Sequence, residues 1–179
     1  MSCHTGPSLP GFAPEVVIAI AVRRGHGGHL DRCFASIAPQ SLSPARIGIV
    51  VLLDTNGPTE RLDDGLPAAV CERTWWLVAN CGSAARARNA LLDFVDSQIP
   101  SARWVVRLDD DDRFHDSRGI ERCVEIGDEQ GAMFVLAGNY VVDELGAVLR
   151  DNPATAELFD PTLLAALAQR MADGSAANE

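Results

Sequence analysis

The sequence predicts an α/β fold: a mostly parallel sheet with helices on both faces and a small hairpin near the C-terminus. Three observations carry this. The apolar runs Val16–Val22 and Arg46–Leu53 have the composition of strands buried on both faces. Helical stripes stand between such runs, so strand and helix alternate four times. The unusual polar residues, Arg23, Arg24, Asp54, Asn56, Asn80 and Asp109–Asp112, each follow the carboxyl end of a strand. In an open α/β sheet, ligands bind at that edge.

In chain order, residues 1–14 are rich in Gly, Pro and Ser and are expected to form a flexible arm. A single domain is expected over 15–172, followed by a disordered tail over 173–179. After the Val16–Val22 strand comes the loop Arg23–Gly28, which contains His26. Leu30, Cys33, Phe34 and Ile37 then fall at i, i+3, i+4 and i+7, one helical stripe ended by Pro39. The second strand exits through Asp54–Pro58, and a short helix is expected around Ala68–Glu72. Thr74–Ala79 is the third strand, and Asn80–Ser83 turns into a helix that buries Ala87, Ala90, Leu91, Phe94 and Val95. Trp104–Leu108 is the fourth strand. Asp116 is the expected N-cap of a helix running to Gly131. Met133–Ala137 reads as a fifth strand, Asn139–Leu149 as a hairpin turning at Glu144–Gly146, and Pro161–Met171 as a last helix.

Composition narrows the function classes. The 179 residues carry a formal net charge of −10, which argues against non-specific binding of nucleic acid because that needs a basic face. It does not argue against a phosphorylated ligand, since a bound divalent cation reverses the local charge. The five cysteines are scattered and never spaced C-x-x-C, so neither a disulfide framework nor a zinc site is indicated. Free thiols and the lack of a signal-like or membrane-spanning stretch point to the cytoplasm.

The chemistry concentrates in Asp109-Asp110-Asp111-Asp112, at the end of the fourth strand. Adjacent carboxylates repel, and a hard cation relieves that repulsion by taking one or two of them, completing its shell with water and phosphate. Were the chain extended here, Asp109 and Asp111 would share one face and Asp110 and Asp112 the other. A solvated acidic loop is the plainer alternative. Asp54 has two readings, acceptor for a pyrimidine N–H or former of an Asx turn before Asn56 and Gly57. Arg86 and Arg88 lie in the first turns of a helix, where a cation opposes the helix dipole; an anionic neighbour is therefore expected. His29 and His115 read as loop residues, and Trp75 and Trp76 as core residues pointing to opposite faces.

With these residues in place, the chain resembles the nucleotide-sugar-binding half of the family 2 glycosyltransferases, which have the Rossmann-like GT-A fold. Leu30–Gln40 is similar to the family's "L..cL.Si..Q", and the strand ending in Asp54 to its "DDgS" strand, without the second Asp. Asn80-Cys81-Gly82 with Ala87-Arg88-Asn89 resembles "N.G....aRN". Leu108–Asp112 matches "lDaDD", and Gly138–Gly146 is similar to the "ygdy..vDe.G" hairpin. The family's "PTYN" is replaced by Ala21–Arg24. The resemblance covers about residues 15–150 and stops short of the family's acceptor-binding half.

It implies transfer of a sugar from a nucleotide-diphosphate sugar to an unknown acceptor, inverting and dependent on Mn²⁺ or Mg²⁺. Asp54, Arg88, Asp109 and Asp110 would bind the donor, and Asp109, Asp111 and Asp112 the metal. Asp109 would either meet the ribose or share the ion, and Asp112 would either brace the site or touch the sugar. Asp110 would alternatively be structural. No motif selects a base among Asp143, Glu144, Asp151, Glu157 and Asp160. The competing expectation is a non-catalytic nucleotide-sugar-binding module that relies on a partner subunit or a second copy.

Overall fold

The computed structural model describes residues 2–23, 29–55, 67–133, 135, 137–143 and 147–152. The chain divides into two compact units, Met1–Glu125 and Ile126–Glu179, where the sequence led us to expect one domain.

The first unit is built on five strands: β1 (Ser2–Thr5), β2 (Val16–Arg23), β3 (Ile47–Asp54), β4 (Thr74–Ala79) and β5 (Trp104–Asp109). Their order is β1-β4-β3-β2-β5; β1 is antiparallel to β4, and the other pairs are parallel. The alternating side chains of β2 build two cores. Val16, Ile18, Ile20 and Val22 meet α1 (Leu30–Ile37) through Cys33, Phe34 and Ile37, and α4 (Gly119–Gln130) through Ile120 and Val124. Val17 and Ala19 face α3 (Ala84–Gln98) through Ala87, Leu91, Phe94 and Val95. Helices thus cover both faces of the sheet, as its doubly apolar strands require. Trp75 and Trp76 divide between the two cores as their adjacency predicts, and Trp76 lies 6.0 Å from the Phe34 ring. The short α2 (Ala68–Cys71) follows residues outside the description.

The expected loose arm is corrected. Ser2–Thr5 pairs with β4, the Ser8 N–H donates to the Glu72 carbonyl at 3.0 Å, and Phe12 stacks on Trp75 at 5.8 Å. The open edge of β4 and the Trp75 ring give partners to a segment whose Gly and Pro content hides them. Gly48 permits this packing, because a Cβ there would lie 2.7 Å from Pro14 and 2.8 Å from Trp75.

In the second unit, β6 (Asn139–Val142) and β7 (Val148–Asn152) form the expected antiparallel hairpin. Its ends are closed by the Asp143 N–H to the Ala147 carbonyl and by the Ala147 N–H to Asp143 Oδ1. Of the expected fifth strand, the described residues Met133, Val135 and Ala137 lie in no strand, and Phe134 and Leu136 are outside the described residues. An apolar run states a preference, but a strand also needs a backbone partner. The Glu144–Gly146 turn, the Pro161–Met171 helix and the 173–179 tail lie outside the described residues. Among the described residues, no helix is long and apolar enough to cross a membrane.

Candidate donor-binding site at the carboxyl edge of the sheet

Register fixes the site. Arg23 at the end of β2 pairs with Asp54 of β3, Asp54 pairs with Ala79 of β4, and Ala21 pairs with Asp109 of β5. The expected edge residues of all four parallel strands therefore lie within two residues of one line. With strands about 4.8 Å apart, the backbones of Asp54 and Asp109 are separated by roughly 12 Å. The chain runs from β2 toward β3 and β4 on one side, then returns to place β5 on the other. This is the reversal of strand order that opens a crevice in doubly wound sheets.

Asp109 is held from two sides. Arg88, from the second turn of α3, places Nη2 3.2 Å from Oδ1 and 3.1 Å from Oδ2. Arg107, two residues earlier on the same face of β5, reaches Oδ2 at 3.0 Å. Partial burial opposes ionisation of Asp109, but the hydrogen bonds and charges of Arg107 and Arg88 outweigh it and hold its pKa below the ordinary carboxylate range. The expected anionic neighbour of Arg88 is thus the acidic quartet itself. Arg86 is exposed, and its backbone N–H donates to the Ser83 hydroxyl that caps α3.

The quartet is not extended. The Asp112 N–H donates to the Asp109 carbonyl at 3.0 Å, closing a turn through Asp110 and Asp111. Alternation of faces therefore ends at Asp109, and Asp111 does not share a strand face with it as an extended chain would require. Asp111 and Asp112 are exposed. Although the residue is exposed as a whole, protein atoms packed around its carboxyl displace some water from the Asp112 group, and this desolvation first, then the charges of Asp111 and Asp109, push its pKa up. Beneath the turn, the Cys33 thiol lies 3.9 Å from the Asp109 carbonyl, and its pKa is pushed up to about 12 by burial and by the charges of Asp110, Asp112 and Asp111.

Residues 114–120, which follow the quartet, are tied to α1 by side chains that the sequence analysis quoted without a role. The Phe114 N–H donates to the Ser36 hydroxyl at 3.1 Å. The buried Gln40 amide donates to the Asp116 carbonyl at 2.9 Å and accepts from the Ile120 N–H at 3.3 Å. Asp116 is not the N-cap: it accepts from the Arg118 N–H at 2.7 Å as an Asx turn, and the helix begins at Gly119.

Asp54 has a partner that neither sequence reading named, while Asn56 and Gly57 of the Asx-turn reading lie outside the described residues. Its Oδ1 accepts the Cys81 N–H at 2.6 Å, bracing the loop between β4 and α3. Gly82, at φ +70°, turns that loop into the helix. His29 immediately precedes α1, His115 is exposed, and Arg24 and His26 lie outside the described residues.

Among the described residues, no three His, Cys, Asp or Glu side chains are grouped to hold a metal. Both oxygens of Asp109 accept hydrogen bonds from guanidiniums, while Asp111 and Asp112 are exposed on the turn that follows. Two exposed carboxylates on one turn fit Mg²⁺ or Mn²⁺ bound jointly with phosphate and water, and do not fit a cation enclosed by protein ligands.

No protein-family model and no curated protein matches the sequence. Solved structures do match. Over 72% of its length the chain superposes on S. aureus TarS, a family 2 glycosyltransferase, with a TM-score of 0.50 and 15% identity. The fold is GT-A-like. A second TarS structure, of its residues 1–349, matches over 83% of the chain at a TM-score of 0.48 and 16% identity. The chain spans 21% of the first TarS chain and 49% of the second.

Proposed function

We propose that the chain is the donor-binding part of a glycosyltransferase, moving a sugar from a nucleotide-diphosphate sugar to an acceptor with inversion and with Mn²⁺ or Mg²⁺. The observation that carries this reading is the Arg88–Asp109 pair at the reversal of strand order, with three further carboxylates in the turn that follows. The GT-A-like fold supports it.

In this reading Asp111 and Asp112 hold the ion, which when bound supplies positive charge to the leaving diphosphate. Arg88 fixes the Asp109 carboxylate so that it faces the ribose. Asp110 lines the donor site from the same turn. Asp54 keeps the Asn80–Ser83 loop in place through Oδ1, and its other oxygen is the acceptor for a base N–H. A cytoplasmic location accords with the free thiols of Cys33, Cys71, Cys81 and Cys123.

One observation favours a second reading, a donor-binding module that needs a partner subunit or a second copy for catalysis. Asp143, a candidate base, accepts a hydrogen bond from its own hairpin and acts as a turn former. Release of nucleoside diphosphate from a panel of UDP- and GDP-sugars in Mn²⁺ distinguishes the two. Turnover that disappears in Asp111→Ala supports the transferase, binding without turnover supports the module, and neither binding nor turnover refutes both.

A further inference from the structure

Arg107 stands inside the apolar run of β5, and no motif of the sequence draws attention to it. The period of the strand puts it on the α3 face with Asp109, two residues away, and its guanidinium reaches toward the carboxyl edge to touch both carboxylate oxygens. Arg88 arrives at the same carboxylate from α3. The two guanidiniums are not equivalent. The Arg88 side chain is 37% exposed, and its Nε is buried and donates no hydrogen bond among the described residues. The Arg107 side chain is 60% exposed.

One guanidinium is sufficient to neutralise Asp109. The second is therefore surplus to that carboxylate, and it belongs to the more exposed of the two arginines. An exposed carboxylate pair contributes little and is readily exchanged. A planar guanidinium forms two parallel hydrogen bonds with a phosphate, an arrangement that an ammonium does not reproduce.

We propose that Arg107 is a diphosphate-binding residue. In the free protein its guanidinium rests on Asp109; when the donor binds, it turns to the diphosphate while Arg88 stays on Asp109. Only hydrogen bonds and ion pairs are exchanged, and Asp109 remains compensated throughout. The inference rests on the donor-binding reading above and adds a contact to the anionic part of that ligand.

The test is calorimetric titration of the full chain with Mn²⁺ alone, then with UDP and GDP in the presence of Mn²⁺, for wild type, Arg107→Met and Arg107→Lys. Arg107→Met is expected to weaken diphosphate binding about tenfold or more, and Arg107→Lys to recover only part of the loss. Binding of Mn²⁺ alone is expected not to weaken in either variant, and the ligand-free melting temperature is expected to fall by no more than it does in Arg88→Ala. Wild-type affinity in Arg107→Met overturns the inference alone. So does a loss of diphosphate binding accompanied by a larger fall in melting temperature and weaker Mn²⁺ binding, since that is the signature of a structural role. Failure of the wild type to bind either diphosphate overturns the donor-binding reading and the inference with it.

Discussion

The two ends of the parallel sheet carry the same device to different effect. At the amino end, the Glu15 carboxylate lies between Arg46, at 2.7 Å, and Arg103, at 2.9 Å. At the carboxyl end, Asp109 lies between Arg88, at 3.1 Å, and Arg107, at 3.0 Å. Each is one carboxylate facing two guanidiniums. Glu15 links the starts of β2, β3 and β5, and its carbonyl also accepts the Arg103 and Trp104 N–H groups, so this cluster closes the base of the sheet. Asp109 is followed by three more aspartates within three residues, so acidic groups there outnumber Arg88, Arg107 and the adjoining Arg113. One end is a staple. The other carries an excess of negative charge that folding alone does not require, and that excess is what a divalent cation would neutralise.

Substitutions at the two ends should therefore separate stability from binding. The largest effect is expected for Asp111→Ala: Mn²⁺-dependent turnover of a nucleotide sugar should fall by about 100-fold or more, the scale of losing a transition-state electrostatic partner. Its melting temperature should hold or rise, because a like charge is removed. Unchanged turnover would place the cation elsewhere.

Gln40→Ala comes next. It leaves the Asp116 carbonyl and the Ile120 N–H without their side-chain partner, at a cost of about 1–3 kcal/mol in urea unfolding. It should also weaken Mn²⁺ binding, because residues 114–120 are then held to α1 by the Ser36 hydroxyl without the Gln40 amide. Full Mn²⁺ affinity in this variant would show that the tie does not position the acidic turn.

Smaller still is the direct comparison of the two clusters. Glu15→Gln and Arg88→Ala should each cost about 1 kcal/mol, the range of partly exposed ion pairs. Only Arg88→Ala should impair nucleotide binding. Equal binding in the two variants would break the contrast between the ends.

The smallest effect is one of pH, in metal-free protein. A carboxyl whose folded-state pKa is raised binds protons in the folded state at a pH where the unfolded chain has released them, so its contribution disfavours folding as pH rises. Asp112→Asn should then raise the melting temperature at neutral pH and lose that advantage below about pH 4. Asp109 has the opposite sign. Its lowered pKa gives stability that is full above the unfolded-state value and is lost as pH falls through the folded-state one. Asp109→Asn should therefore destabilise at neutral pH and converge on wild type in acid. Melting curves across pH, in the presence of a chelator, check both.

Much of the fold was legible because burial on both faces leaves a plain mark. Val16–Val22 and Ile47–Leu53 are apolar at nearly every position, and the stripe Leu30, Cys33, Phe34, Ile37 is fully buried on α1. The ends of the chain were less legible, because pairing depends on a partner as well as on composition. Ser2–Thr5 found the edge of β4, and Met133–Ala137 formed no strand among its described residues. At the site, the acidic quartet announced itself, but its turn did not: four identical residues carry no mark of where a backbone N–H folds back. Arg107 was hidden by its apolar neighbours, although period-two spacing to Asp109 was the signal that could have revealed it. Ser36 and Gln40 were visible as parts of a pattern, but not by role, since Ser36 receives the Phe114 N–H across 78 residues and Gln40 the Ile120 N–H across 80.

The central claim is that the carboxyl edge binds a nucleoside diphosphate through a divalent ion held by Asp111 and Asp112. The most direct measurement is the melting temperature of the full chain with UDP and with GDP, each with and without Mn²⁺, in wild type and in Asp111→Asn. Binding to the folded state stabilises it by about 2.7 kcal/mol at a ligand concentration of 100 Kd, a shift of several degrees. The expected result is a shift that requires nucleotide and Mn²⁺ together and disappears in Asp111→Asn. A shift that ignores Mn²⁺ or survives that substitution, or no shift with either nucleotide, would contradict the claim.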